Sequence, residues 1–270
     1  MKRRAFLFAL GGSSVAAGGV FRYVEPEWFD LTHTRIALPG VKPKKILHVS
    51  DIHMSDGMTA PELDAGLRLG LAEKPDLIFF TGDFVTTTHA YDAKGLCDMV
   101  RRAAGTAPTF GVLGNHDGGA WLGRYGGSPS IEPLAGLLAK TGMRLLHNES
   151  VKFDDLALVG VGDLWSGQFA PLRAFAAVPN AAATILLCHN PDGKDSLRRN
   201  RWDLMLSGHT HGGQARVPGL DPVWAPVSDK RFLAGRYDWE GRQLFITRGL
   251  GSPKRIRAFC RPELSMLHVG

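Results

Sequence analysis

The sequence predicts an α/β fold with parallel strands, and three observations predict it. Short apolar runs alternate with amphipathic segments through the first half, in a βαβαβ order. The second half changes to a series of short strands. Groups of Asp, Asn and His, several introduced by a glycine, stand directly after the apolar runs in both halves. In open sheets of this kind a ligand site lies beyond the carboxyl ends of the strands.

Residues 1–21 stand apart from the rest. Lys2-Arg3-Arg4 precedes an uncharged stretch from Ala5 to Phe21, the basic head and apolar middle of an export signal. Arg3-Arg4-Ala5-Phe6-Leu7 resembles the twin-arginine export motif. That resemblance implies the twin-arginine export machinery as a partner and a folded body in the periplasm or on the outer face of the cytoplasmic membrane. The competing expectation is an uncleaved membrane anchor, with a body facing the cytoplasm as a further alternative. Residues 22–44, punctuated by Pro26, Pro39, Gly40 and Pro43, read as a linker and an edge strand. Residues 45–270 form the main domain.

Within it, residues 45–50 are a buried strand ending at Asp51. Residues 61–73 start with Pro61 and carry apolar residues at Leu63, Leu67, Leu69 and Leu71, which predicts a helix. Residues 76–80 are the next strand, ending at Thr81-Gly82-Asp83. A helix over 93–104 and a strand over 109–113 follow, the latter ending at Gly114-Asn115-His116-Asp117. A helix is expected over 130–141, then strands over 143–146, 150–153 and 156–161, and a helix around 172–178. Residues 183–187 run into Cys188-His189, and 203–206 into Ser207-Gly208-His209, repeating the strand-then-ligand design. Residues 243–247 and 264–269 read as closing strands.

Composition bounds the class. At 270 residues, 44% hydrophobic and 21% charged, the chain builds a sizeable core and is not disordered. The net charge is +6, of which Lys2, Arg3 and Arg4 supply three, too mild to predict nucleic-acid binding. Cys97, Cys188 and Cys260 are odd in number and widely spaced, so no disulfide framework is implied and they read as small hydrophobes.

The ligand-bearing blocks are Asp51-Ile52-His53, Gly82-Asp83, Gly114-Asn115-His116-Asp117, His189-Asn190 and Gly208-His209-Thr210-His211. Asp51 and His53, like His209 and His211, are two positions apart, on one side of an extended chain. Each block alone is weak, since Gly-Asp is often a turn and a lone His is usually structural. Five blocks at five strand ends supply a ligand set for two adjacent metal ions, with a histidine left for proton transfer. Imidazole and carboxylate suit zinc, manganese or iron better than calcium or magnesium. Such a pair clamps a phosphoryl group, and its bound water loses a proton near neutral pH and attacks phosphorus. His33, His48, His89, His147 and His268 match no block; His48 reads as structural and His89 as a loop residue.

These five blocks resemble the calcineurin-like metallophosphoesterase family, over about residues 44–250. The resemblance implies a four-layer αββα sandwich of two mixed β-sheets flanked by helices. It also implies that Asp51, His53, Asp83 and His211 hold one divalent ion, Mn²⁺ or Zn²⁺ with iron compatible. Asp83, Asn115, His189 and His209 hold the other, Asp83 bridging. His116 stabilises the phosphoryl group or protonates the leaving oxygen, and Asp117 orients His116 by a hydrogen bond.

Within the family, the export-like N-terminus, Val161-Gly162-Asp163-Leu164-Trp165, Thr247-Arg248-Gly249-Leu250-Gly251 and Arg261-Pro262-Glu263-Leu264 resemble a bacterial branch of exported or membrane-associated phosphodiesterases. That branch includes UDP-2,3-diacylglucosamine hydrolases of lipid A synthesis. The implied substrate is a phosphate ester, lipid-linked or nucleotide-linked in the narrower readings. The pyrophosphohydrolase is the alternative function, and a metal-dependent binding module at the envelope is the alternative of another class. Arg248, Lys254, Arg255, Arg257 and Arg261 form a basic cluster that reads either as a holder of anionic head groups or membrane surface, or as a solvated loop. The aromatics of Trp121-Leu122-Gly123-Arg124-Tyr125-Gly126-Gly127 read either as a wall of the substrate pocket or as packing under a glycine-rich loop.

Overall fold

The computed structural model describes residues 19–86, 90–216 and 225–270. Almost all of the export-like segment, and His89, lie outside them. Among the described residues, no helix is long and apolar enough to cross a membrane.

Among the described residues, twelve strands form two mixed sheets of six. The first contains β1 (Asp30–Ile36), β2 (Lys44–Val49), β3 (Leu77–Thr81), β4 (Thr109–Val112), β5 (Arg144–Leu145) and β12 (Glu263–Val269). Their order is β1-β12-β2-β3-β4-β5, all neighbours parallel except β12 and β2. The second contains β6 (Glu149–Phe153), β7 (Leu156–Gly160), β8 (Ala183–Leu187), β9 (Leu204–Ser207), β10 (Gly235–Trp239) and β11 (Arg242–Ile246). It runs β10-β11-β9-β8-β7-β6, parallel in the middle and antiparallel at both margins.

The side-chain period of two sorts these strands into layers. Ile46, Leu77 and Phe79 of the first sheet meet Leu158, Ile185, Leu187, Leu204 and Leu206 of the second in the central core. The alternate residues Leu47, Val49, Ile78 and Phe80 face the helices α1 (Ala60–Ala72), α2 (Ala93–Thr106) and α4 (Glu132–Leu138). On the far face of the second sheet, Val159, Leu186, Met205 and Leu244 pack under Trp202, Phe232 and Trp239. The result is the expected αββα sandwich. Both sides of β2, β3, β8 and β9 are covered, so these strands read as near-continuous apolar runs, interrupted in β2 by His48. Each fully buried Leu or Phe contributes about 1.5–3 kcal/mol.

Local chemistry starts the two long helices. Thr59 and Glu62 form a reciprocal capping box at α1, with Pro61 in its first turn. The Asp92 carboxylate caps α2 by accepting from the Gly95 amide at 2.8 Å. Leu96, Met99, Val100 and Ala103 then supply one apolar face. The helix expected over 130–141 is shorter, and that around 172–178 is one turn, α5 (Pro171–Ala174). Two further single turns, α3 (Ala120–Gly123) and α6 (Gly193–Ser196), follow ligand blocks.

Candidate metal centre

The five ligand blocks leave β2, β3, β4, β8 and β9 at one edge of the sandwich, and the two sheets bring them together there. Among the described residues, two groups of three form. Asp51, His53 and His211 each offer a ligand atom within 4.8 Å of the others, and Asp83, His189 and His209 do the same. Asn115 joins the second group, its Oδ1 3.2 Å from His189 Nε2. Asp83 Oδ2 lies 3.4 Å from His53 Nε2 and 3.2 Å from His189 Nε2, between the groups. All seven residues are buried.

Backbone geometry makes this convergence possible. Asp51, His53, Asp83, His209 and His211 have φ values of 53°, 49°, 54°, 68° and 49°. This left-handed region is sparsely used outside glycine, although Asp and His tolerate it better than most, and such strain clusters at functional sites. The neighbouring glycines give the carboxylates room. A Cβ on Gly208 would stand 2.1 Å from Asp51 Oδ2, and one on Gly114 would stand 2.2 Å from Asp83 Oδ1.

The donor set fits divalent ions. Two ligand atoms of one ion at about 2.0–2.2 Å lie roughly 2.9–3.5 Å apart in octahedral or tetrahedral geometry. His53 Nε2 and His211 Nε2 are 3.1 Å apart, and His189 Nε2 and His209 Nδ1 are 3.2 Å apart. Two of the four imidazoles donate from behind to a main-chain carbonyl, which turns the other ring nitrogen toward the site. His189 Nδ1 donates to the Thr81 carbonyl at 2.7 Å, and His209 Nε2 to the Pro226 carbonyl at 3.0 Å. His53 Nδ1 meets the Thr86 hydroxyl at 3.0 Å.

Electrostatics set His189 apart from the other three rings. Burial holds His53 and His211 well below the usual imidazole range and His209 down at about 3, so these rings are neutral. Burial acts the same way on His189, but the Asp83 and Asp51 carboxylates outweigh it and push this ring up to about 10. Burial raises Asp51 to about 6. For Asp83 burial is overcome by His189 and His116, and its carboxyl stays well below the usual range. Anionic Asp83 amid inward-facing imidazoles is the pattern that cation binding resolves.

His116 lies at the rim, half-buried, its ring edge-on to His53 at 4.9 Å. Its backbone amide donates to Asp83 Oδ1 at 2.8 Å. Asp117 is placed differently from the expectation. Its carboxylate accepts not from the His116 ring but from backbone amides: Gly114 and Asp83 at 2.8 Å, Val85 at 3.2 Å. It therefore pins the loops leaving β3 and β4 together, and acts on His116 through the backbone.

Within the basic cluster the four arginines engage the protein itself, and Lys254 is exposed. Arg248 pairs with Glu263 and Asp30, Arg255 with Glu62 and Glu27, and Arg261 with Asp30. Arg257 is wholly buried and donates to the carbonyls of His211, Arg248 and Gly249 at 3.1, 2.9 and 3.1 Å, and to Gly251. Gly251 in turn donates to the Asp51 carbonyl at 2.6 Å. Arg257 thus ties the 248–251 loop and His211 behind the Asp51 side of the site. Nothing in the sequence separates it from its exposed neighbours except Ala258 and Cys260 beside it. Cys260 and Cys188 are buried thiols, as expected. His48 is buried between the sheets, where its Nε2 meets the Thr81 hydroxyl at 2.8 Å, a structural role.

Comparison with known proteins gives the same picture. Residues 44–213 match the calcineurin-like phosphoesterase family. The chain is 37% identical to the phosphodiesterase YaeI of Escherichia coli, covering 100% of this chain and 99% of that one. It is 28% identical to the uncharacterised metallophosphoesterase YkuE of Bacillus subtilis, over 98% and 96% of the two chains. It is also 27% identical to the UDP-2,3-diacylglucosamine pyrophosphatase LpxG of Chlamydia muridarum, over 91% and 90%. A family match that starts at β2 and ends just past His211 spans every ligand block, so the chain belongs to the calcineurin-like metallophosphoesterases and is a hydrolase.

Proposed function

We propose that this protein is a binuclear-metal-dependent phosphodiesterase working outside the cytoplasm. The observation that carries the reading is the convergence of two buried ligand triads on Asp83 with His116 at the rim. Asp51, His53, Asp83 and His211 would hold one ion, and Asp83, Asn115, His189 and His209 the other. Mn²⁺ or Zn²⁺ suits these ligands, and iron is compatible. When bound, the ions supply positive charge for the phosphoryl oxygens and acidify water. His116 would stabilise the phosphoryl group or hand a proton to the leaving oxygen, and Asp117 would hold the loop that aims it.

The diester preference is supported by the resemblance to YaeI. A second reading, a pyrophosphatase of UDP-2,3-diacylglucosamine, is supported by the resemblance to LpxG. The export reading rests on Lys2-Arg3-Arg4 and the uncharged stretch behind it. Hydrolysis of bis(p-nitrophenyl) phosphate and of UDP-2,3-diacylglucosamine by Mn²⁺-loaded protein decides between the substrates. Turnover of neither would refute both. A reporter fused after Gly270 that lights up only in the cytoplasm would refute export.

A further inference from the structure

Three aromatic side chains beside the candidate metal centre have no place in the fold's cores. Trp121, Tyr125 and Trp165 belong to none of the buried apolar clusters, and Tyr125 is 65% exposed. They form a continuous wall. The Trp121 ring stands edge-on to His116 at 5.0 Å, meets Tyr125 at 5.0 Å and Trp165 at 5.7 Å, and Trp165 stands edge-on to His209 at 4.6 Å. The wall therefore runs from the residue proposed to donate the proton to a proposed metal ligand. A phosphate ester held at the metals would lie with one substituent along it.

The wall is also built rigidly. Asp163 Oδ1 accepts from the Trp165 and Ser166 amides, both at 2.8 Å, which fixes the turn carrying Trp165. The Ser166 carbonyl accepts from the Ala120 amide at 2.8 Å, at the start of α3, which carries Trp121. Gly119 allows the approach, since a Cβ there would stand 2.6 Å from that carbonyl oxygen. Two loops from different sheets are thus locked together with their indoles side by side. Holding large aromatic rings partly in water gains nothing for the core, whereas preorganised rings beside a reaction centre lower the ordering cost of binding.

We propose that Trp121, Trp165 and Tyr125 are a stacking platform for a planar aromatic group on the substrate, a nucleobase or comparable ring. This rests on the phosphoesterase reading and narrows its substrate class. Aromatic side chains stack on any base, each such contact contributing about 1–3 kcal/mol.

Calorimetry of AMP and ribose 5-phosphate on Mn²⁺-loaded, full-length protein tests it. The two ligands share sugar and phosphate and differ by the base. AMP is expected to bind about tenfold tighter or more. Trp121→Ala and Trp165→Ala should each bring the ratio of the two Kd values toward one, and Trp165→Phe should keep most of it. A ratio near one in the parent protein, a ratio that survives both alanine variants, or hexyl phosphate binding as tightly as AMP would overturn the platform. Turnover of bis(p-nitrophenyl) phosphate by the same preparation separates the two ideas. No turnover with the ratio intact counts against the phosphoesterase reading alone. Turnover with a ratio near one counts against the platform alone.

Discussion

Replacing Arg257 by Met removes a buried guanidinium while keeping most of its apolar volume. In the folded protein this group reaches five main-chain carbonyls, those of His211, Arg248, Gly249, Gly251 and Cys260. A buried acceptor left without its donor costs about 1–3 kcal/mol. The His211 and Gly249 carbonyls keep the Gln214 and Glu263 amides, whereas those of Arg248 and Gly251 lose their donor, and two such acceptors put the loss at roughly 4 kcal/mol. For a chain of this size that lowers the melting midpoint by roughly 10 °C. The damage should reach the metal site, because Gly251 and Gly249 press on Asp51 and His211 is itself a candidate ligand. Loss of such supporting contacts typically weakens metal binding about 10–100-fold. Urea denaturation gives the first number and competition with a chelating dye gives the second. A variant that loses less than about 1 kcal/mol and binds metal as the parent does would refute the idea that Arg257 holds the site's back wall.

Other consequences are more local. His116→Ala should keep the metal content and lower kcat about 10²–10⁴-fold, measured with a diester at saturating concentration; unchanged kcat would remove His116 from the chemistry. Gly208→Ala should lose metal at the Asp51, His53 and His211 group first, because its Cβ would stand 2.0 Å from Ser50 Oγ and 2.1 Å from Asp51 Oδ2. Equal loss at both groups, read by metal titration, would contradict that. Glu62 is held down at about 2, from 4.5, chiefly by its hydrogen bonds to Arg255. Its folded value lies below the unfolded one, so its contribution is full above about pH 4.5 and is lost as pH falls toward 2. The stability gap between the parent and Glu62→Gln, which preserves the capping box, should shrink across that window; a gap constant from pH 7 to pH 3 would contradict it.

The centre of the sheets was legible because burial on both faces writes itself as near-continuous apolar runs, and the ligand blocks at their ends because few other arrangements place Asp, Asn and His there. What stayed hidden depended on distant partners. β10 is an edge strand whose Arg236 and Asp238 point to solvent, so it lacks the apolar signature of the central strands. The insertion of β12 between β1 and β2, antiparallel to β2, joins segments more than two hundred residues apart. Arg257 looked like Lys254 and Arg255, since only the fold decides which of three nearby cations is sealed in. Asp117 looked like a partner for its neighbour's ring, whereas the tight turn leaving β4 aims its carboxylate back at the amides of both crossing loops.

The most direct test of the account is metal content measured by mass spectrometry on protein purified without added chelator and reloaded with Mn²⁺, for the parent and for Asp83→Asn. A shared binuclear centre requires about two ions per chain in the parent. It also requires a clear loss from both groups in the variant, because Asp83 stands between them. One ion or none in the parent, or two ions retained in Asp83→Asn, would contradict a shared binuclear centre.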